Sequence, residues 1–260
     1  MPSRHFVARL LTLAAAMLPA AGSFAACDLH SGAQTAALVE LYTSEGCSSC
    51  PPADSQLQSL AATLAPDAEV VPLALHVDYW DELGWTDPYA QSAFDARQSW
   101  LVQTNHQDVV YTPQFFVGGT EVRAWQSDLR DQVRRLNATT AVADIRVQAK
   151  SAANGALALR VEARAPRASG AAVLYVALTE DGLSSEVSRG ENRGATLTHD
   201  HVVRIWLGPT NLQDGVAVVE REIALPHVWR RSNLNVVAFV QNAQGGGVLQ
   251  ALTARQCAKS

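Results

Sequence analysis

The stretch SEGCSSCPPAD, residues 44–54, contains two cysteines that are separated by two serines and followed by two prolines. The apolar run before it, residues 36–43, predicts a strand, and leucines at helical spacing predict a helix over residues 51–64. Unpaired backbone N–H groups at the start of a helix favour a thiolate. We therefore predict a redox-active pair, with Cys47 as the exposed nucleophile and Cys50 as the resolving cysteine. The alternative is a static structural disulfide.

Outward from this stretch, apolar runs alternate with helical patterns as far as residue 139. Further strands are predicted over residues 69–77, 114–117 and 120–123, and further helices over residues 88–105 and 125–136. Gly118-Gly119 predicts a tight hairpin between the last two strands. The order β-α-β-α-β-β-α predicts an α/β thioredoxin-like domain, a mixed four-stranded sheet with flanking helices, over residues 35–139.

The pattern changes near residues 137–141, where the helical spacing ends. Short runs rich in Val, Leu and Ala follow, separated by Gly, Asn, Asp and Pro. These runs span residues 144–149, 156–163, 172–178, 202–207, 216–223 and 234–241. Such spacing is typical of an antiparallel sandwich, so we predict a small β-sandwich domain over residues 141–257.

Residues 1–25 predict a secretory signal peptide. Arg4 and Arg9 form a basic start, residues 10–21 are apolar, and small residues end the segment. The apolar run is too short to cross a bilayer core of ~30 Å as a helix, and we predict no transmembrane segment. We expect a periplasmic or secreted protein, in a compartment where disulfides persist.

The charge balance argues against two classes of partner. The formal net charge is −5, and removal of the two arginines of the signal segment would make it more negative. The chain contains only two lysines, Lys150 and Lys259. Because nucleic-acid and anionic-membrane surfaces need clustered positive charge, we predict neither partner.

The remaining cysteines, Cys27 and Cys257, stand alone near the two ends of the mature chain. The simplest arrangement pairs them with each other as a structural disulfide. A cysteine directly after a signal peptide can instead carry a lipid. Lipidation sites usually have Leu three residues earlier, whereas this chain has Phe24. Lipidation is therefore the alternative, and it would leave Cys257 without a partner.

Tyr111-Thr112-Pro113 leads into the predicted strand over residues 114–117. Thioredoxin-like proteins carry a cis-proline at the start of this strand, facing the cysteine pair. We predict that Pro113 is such a residue, although a cis bond occurs in only ~5–6% of X–Pro cases. Thr112 and Tyr111 are expected to contact an extended substrate peptide. The alternative is an ordinary trans proline at a strand start.

Two further candidates come from buried or strand-end positions. Glu40 lies inside the first predicted strand, where a carboxylate is costly unless it has a partner or a function. We predict that Glu40 accepts a proton from Cys50; the alternative is a strand-end carboxylate that reaches solvent.

Asp78 and Trp80 follow the second strand, at the edge where ligands bind in open α/β sheets. We predict that they line a substrate groove, the alternative being a packed loop with Trp80 in the core.

His199-Asp200-His201 has the spacing of two metal ligands, but no third ligand stands nearby in sequence. We therefore predict no metal at this motif and no cofactor for the protein.

Five motifs together resemble a family of exported bacterial proteins catalogued as domain of unknown function 1223. They are SEGCSSCPPAD, HVDYWDELGW at residues 76–85, Arg97-Gln98, VYTPQ at residues 110–114 and RGENRG at residues 189–194. The resemblance extends over about residues 35–251. It implies export and a thioredoxin-like fold with a β-rich C-terminal extension, and the family has no established reaction.

Three functions follow from these patterns. The first is a thiol–disulfide oxidoreductase that acts on an exported protein or a small-molecule thiol or disulfide. The second is a copper-binding or carrier module, since soft thiolates suit Cu(I) and His76 or His106 could supply a third ligand. The third is a non-catalytic binding protein in which the Cys47–Cys50 disulfide only braces the fold.

Overall fold

The computed structural model describes residues 27–166, 171–255 and 257 of the 260-residue chain. The predicted signal peptide lies outside the described residues. Within them, no helix is both long and apolar enough to span a membrane.

The described chain is rich in strands and has few helices. The α-helices are α1 (Pro51–Leu60), α2 (Ser92–Thr104) and α3 (Trp125–Asn137). The strands up to α3 are β1 (Cys27–His30), β2 (Ala37–Thr43), β3 (Val70–His76), β4 (Gln114–Val117) and β5 (Thr120–Glu121). Those after α3 are β6 (Asp144–Ser151), β7 (Leu157–Arg164), β8 (Ala172–Glu180), β9 (Leu183–Glu186), β10 (Thr196–His199), β11 (Val202–Asn211), β12 (Val216–Ile223), β13 (Leu234–Asn242) and β14 (Val248–Arg255).

An eight-stranded mixed sheet runs through most of the molecule, in the order β14-β13-β8-β11-β3-β2-β4-β5. The predicted mixed four-stranded arrangement is present at one end, because β2 pairs parallel with β3 and antiparallel with β4. The sheet then continues through β11, which pairs parallel with β3 at Val202 and Ala74. Strand patterns in a sequence do not specify which strand pairs with an open edge, so this continuation could not be predicted.

A second, antiparallel sheet has the order β1-β6-β7-β12. Its apolar residues pack with those of β8 and β13 in one cluster, which includes Val147, Val161, Val176 and Val236. The predicted sandwich is therefore present, but one of its layers belongs to the eight-stranded sheet. The predicted boundary falls between α3 and β6. β1 precedes this boundary in sequence but pairs with β6 in the second sheet. The division into two domains stays a prediction, because a shared sheet joins the two parts.

The faces of β2 decide which side chains meet which helix. Odd-numbered residues such as Val39 and Leu41 pack with Ala53 and Leu57 of α1 in one cluster. Even-numbered residues such as Tyr42 belong to another cluster, on the α2 side of the sheet. All seven residues of β2 are buried, as expected for a strand that is covered on both faces.

The predicted pairing of the terminal cysteines is confirmed. Cys27 and Cys257 form a disulfide with their Cα atoms 5.4 Å apart and a sequence separation of 230. The Cys27 sulfur is thus bonded to Cys257 in this structure. The alternative prediction, in which Cys27 carries a lipid, is not the state seen here.

Candidate functional site

Cys47 and Cys50 form a disulfide in the short connection between β2 and α1, with their Cα atoms 5.4 Å apart. The Cys50 N–H donates to the Cys47 carbonyl at 3.2 Å, which closes a tight turn directly before the helix. The predicted position at a strand-to-helix junction is confirmed. We call residues 44–50 the cysteine turn.

The start of α1 offers the sulfurs few backbone donors, as the two prolines after Cys50 predict. Pro51 and Pro52 occupy the first two helical positions and have no N–H group. The N–H groups of Ala53 and Asp54 donate instead to the Cys50 carbonyl, at 2.8 and 3.0 Å. Stabilisation of a Cys47 thiolate by the helix start therefore depends on the dipole more than on direct N–H contacts.

The prediction that Cys47 is exposed is wrong, because both cysteines are 0% exposed. The loop that joins β9 to β10, residues 187–195, lies against the turn, and we call it the cap loop. Its Glu191 carboxylate accepts the Ser48 N–H at 2.9 Å. Its Asn192 amide donates to the carbonyls of Glu45 and Cys47, each at 2.9 Å.

The disulfide nevertheless lies close to the surface. The two residues between the cysteines, Ser48 and Ser49, are exposed. The Ser49 hydroxyl is 3.3 Å from the Cys47 sulfur. The buried sulfurs are therefore flanked by exposed residues, and the cap loop is hydrogen-bonded to the turn that holds them.

Glu45 anchors the residues that lead into the cysteine turn. Its carboxylate is 0% exposed and contacts His199 Nε2 at 3.0 Å and Trp85 Nε1 at 2.8 Å. Its backbone N–H donates to Asp87 Oδ2 at 2.8 Å. These contacts satisfy a buried carboxylate that would otherwise be costly, and they connect the turn to the loop after β3 and to β10.

A second acid–histidine pair lies beside the first. His76 Nδ1 is 2.7 Å from Asp87 Oδ2, and the rings of His76 and His199 meet edge to face at 5.0 Å. Burial opposes protonation of His76, but Asp87 together with the nearby carboxylates of Asp54 and Glu45 raises the pKa of His76 above its ordinary value. Burial also opposes ionisation of Asp87, and His76 nevertheless lowers the pKa of that carboxyl. We call Glu45, His76, Asp87 and His199 the acid–histidine cluster.

Sequence reasoning missed this cluster and the cap loop. Glu45 and His199 are 154 residues apart, and no spacing pattern connects them. The only signal was the RGENRG motif, which contributed to the resemblance but received no role. Contact between this motif and the cysteine turn depends on how the C-terminal strands fold back onto the sheet.

The Thr112–Pro113 bond is cis, as expected. Tyr42 pairs with Gln114, so Pro113 lies beside the end of β2, from which the cysteine turn departs. Trp80 connects the two segments: its indole N–H donates to the Thr112 hydroxyl at 2.8 Å. A Cβ atom on Gly46 would lie only 3.1 Å from the Trp80 Cβ, so this close approach favours glycine at position 46. The half-buried Trp80 thus forms part of the wall next to the disulfide.

Each of the two other residues predicted to bind substrate has a partner within the protein. The Tyr111 hydroxyl donates to Glu121 at 2.8 Å, and burial together with Glu121 raises the pKa of Tyr111 to about 12. The Asp78 N–H donates to Asp95 Oδ1 at 3.2 Å. Burial and the neighbouring Asp78 raise the pKa of Asp95 to about 7. Substrate contact by Tyr111 and Asp78 stays a prediction.

The structure contradicts the role predicted for Glu40. Its buried carboxylate accepts two hydrogen bonds from Arg97 of α2, at 2.6 and 3.0 Å. Glu40 is an even-numbered residue of β2 and faces the α2 side, whereas Cys50 leads into α1 on the opposite face. A carboxylate that already pairs with an arginine on the far face of the sheet is not placed to accept a proton from Cys50.

The two histidines of His199-Asp200-His201 diverge. His199 contacts Glu45, whereas His201 Nδ1 lies 3.2 Å from Asp181. Across residues 27–166, 171–255 and 257, no group of three His, Cys, Asp or Glu side chains is arranged to hold a metal ion. The geometry therefore offers no support for the copper-binding alternative.

Comparisons with known proteins identify a family and two solved structures of similar fold. A family model described as a protein of unknown function, DUF1223, matches residues 38–241. A crystal structure of a protein from Agrobacterium tumefaciens is 27% identical, has a TM-score of 0.61, and the match covers 86% of this chain and 96% of that one. HBP35 of Porphyromonas gingivalis is 18% identical, with a TM-score of 0.65 and coverage of 86% and 76%, respectively. The second match shows similarity of fold alone. No curated protein sequence matches this chain.

Proposed function

Since this chain belongs to the DUF1223 family of proteins of unknown function, we propose its function from the site itself, as an exported thiol–disulfide oxidoreductase. The observation that carries the proposal is the Cys47–Cys50 disulfide at the junction of β2 and α1, together with a cis-Pro113 directly before β4, the strand that pairs with β2. The pairing of β2 with β3 and β4 supports a thioredoxin-like arrangement of the N-terminal part. The signal-peptide pattern and the two disulfides support an oxidising, periplasmic or extracellular location.

The reaction uses the two sulfurs in sequence. With the pair reduced, the Cys47 thiolate attacks a substrate disulfide, bonds to one substrate sulfur and releases the other as a thiolate. The Cys50 thiolate then attacks the Cys47 sulfur, which forms the Cys47–Cys50 bond and releases the second substrate thiolate. The substrate gains two electrons and the protein loses two; the reverse sequence oxidises a substrate dithiol.

The cover over the disulfide determines how a substrate enters. Because both sulfurs are buried, residues around the cysteine turn must rearrange before a substrate sulfur can approach, and we propose that the cap loop, which is hydrogen-bonded to this turn, is the part that moves. An incoming peptide could replace Glu191 on the Ser48 N–H and use the backbone next to Pro113, as in β-strand addition. This route favours thiols on small molecules or on flexible segments over thiols in rigid folded surfaces.

A trapping experiment tests the proposal. In Cys50→Ala protein, Cys47 should form a mixed disulfide that cannot be resolved, so a covalent adduct with an exported partner or a small thiol should accumulate. Cys47→Ala protein is the matched control, and it should trap markedly less. The absence of an adduct with either variant under oxidising and reducing conditions would contradict the oxidoreductase proposal.

The burial of both cysteines favours one competing function, a non-catalytic binding protein braced by a structural disulfide. The reduction potential of the Cys47–Cys50 couple separates the two. Oxidoreductases of this chemistry have potentials of about −120 to −270 mV, whereas structural disulfides lie below about −300 mV. A value in the lower range would support the binding protein.

A further inference from the structure

Asp54 lies one helical turn after Cys50. Its N–H donates to the Cys50 carbonyl at 3.0 Å, and residues four apart project from the same face of a helix. Cys50 is 0% exposed and Asp54 is 8% exposed. The resolving cysteine and this carboxyl group therefore occupy the same buried side of the α1 N-terminus.

The alternation of β2 and β3 brings further polar groups to this side of the sheet. Ala74 of β3 packs in the cluster that contains α1, whereas Leu73 and Leu75 pack on the α2 side. By the same alternation, Thr43 and His76 end their strands on the α1 side. Asp54 thus faces the ends of β2 and β3 below the cysteine turn. This is the α1 side of the sheet, whereas Glu40 lies on the α2 side.

The environment of Asp54 suits proton exchange. Its Oδ1 has no hydrogen-bond partner within the described residues. The groups that influence it from neighbouring elements are His76 of β3, His199 of β10, Thr43 of β2 and Asp87 of the loop after β3. Burial raises the pKa of Asp54, and the two histidines counteract this only in part. A carboxylate whose pKa is raised accepts a proton more readily than a carboxylate with an ordinary pKa.

We propose that Asp54 accepts the proton of the Cys50 thiol when Cys50 resolves a mixed disulfide, an inference that rests on the oxidoreductase function proposed above. The proton passes from the thiol to the Asp54 carboxylate, and the Cys50 thiolate attacks the Cys47 sulfur. The Cys47–Cys50 bond forms, the bond between Cys47 and the substrate sulfur breaks, and the substrate leaves as a thiolate. Asp54 returns its proton to solvent when the cap loop opens.

The aromatic disulfide DTNB isolates this step. Protein whose Cys47–Cys50 bond has been reduced, with mass spectrometry confirming that Cys27–Cys257 is intact, should release one coloured thiolate as Cys47 is modified. It should release a second as Cys50 attacks, at a rate independent of DTNB concentration. Asp54→Asn should slow this second phase at neutral pH by about tenfold or more, within the range of general-base effects.

The pH profile separates proton transfer from a structural role. At alkaline pH the Cys50 thiol ionises unaided, so the second phase of Asp54→Asn should approach that of the unmodified protein. Asp131→Asn, the same substitution on the exposed face of α3, should change neither phase. An Asp54→Ala variant, which also lacks the carboxylate, should reproduce the pH profile of Asp54→Asn.

Equal second-phase rates for Asp54→Asn and the unmodified protein at every pH would overturn the inference and leave the oxidoreductase function intact. A slowing that is uniform with pH would also overturn it, because it would indicate altered packing. The absence of a second phase in the unmodified protein would instead overturn the proposed function itself.

Discussion

Removal of the Asn192 side chain should make the buried disulfide reactive. This amide donates two hydrogen bonds, to the Glu45 and Cys47 carbonyls, and so connects the cap loop to both sides of Gly46. A neutral hydrogen bond contributes about 0.5–1.5 kcal/mol net, so Asn192→Ala should weaken the closed cap by about 1–3 kcal/mol. Since 1.4 kcal/mol corresponds to a factor of ten, the open population should rise by roughly 5- to 150-fold.

The assay is the rate at which dithiothreitol reduces the Cys47–Cys50 bond. Samples are quenched with an alkylating agent, and mass spectrometry of the peptides distinguishes this bond from Cys27–Cys257. Both sulfurs are fully buried. If opening of the cap loop is what exposes them, the rate of reduction should increase by the same factor as the open population.

Asn137→Ala provides a matched control. The Asn137 amide also donates to two backbone carbonyls, those of Thr35 and Glu69, at 3.0 and 2.9 Å. It lies at the opposite end of β2 from the cysteine turn, about 20 Å away for a strand of this length. If Asn192→Ala is reduced no faster than the unmodified protein, or no faster than Asn137→Ala, the cap loop does not control access to the disulfide.

Three further predictions concern stability. Cys27→Ser should lower the free energy of unfolding by about 5.5 kcal/mol on the chain-entropy model, measured by urea denaturation, and Cys257→Ser should lower it equally. Glu40→Gln leaves the buried Arg97 without its charge partner and should cost about 3–5 kcal/mol in the same assay, whereas a loss below 1 kcal/mol would mean that solvent reaches the pair. Asp54→Asn should become increasingly stable relative to the unmodified protein as pH rises from about 4, because the carboxyl pKa is raised in the folded state above its ordinary 3.8. Thermal melts between pH 4 and 8 test this sign, and a difference that does not vary with pH contradicts it.

Local signals in the sequence were sufficient for the elements around the cysteines. The run before residue 44, the helix after residue 50 and the strand that follows Pro113 each depend on neighbours within a few positions. The cis bond was expected from the likeness to thioredoxin-like proteins, and the terminal disulfide as the simplest pairing of four cysteines. Neither expectation required knowledge of how distant strands pair.

The position of Glu40 shows where such reasoning fails. A strand with one buried face alternates between apolar and polar residues, and that alternation reveals which way each side chain points. β2 is buried on both faces, so its sequence carries no such alternation, and the face of Glu40 could not be determined. Only contacts in the folded protein determine this face: Glu40 pairs with Arg97 on the α2 side of the sheet, whereas Asp54 lies on the α1 side.

The two experiments on the cysteine pair are independent because they act on different steps. Asn192 contacts the backbone of the cysteine turn from the cap loop and controls entry, so its removal should accelerate the first attack and leave the resolving step unchanged. Asp54 lies below the turn on α1 and should affect only the resolving step. If either substitution alters both steps by the same factor, access and proton transfer are not separate functions of the C-terminal loop and the N-terminal helix, and the site must move as one unit.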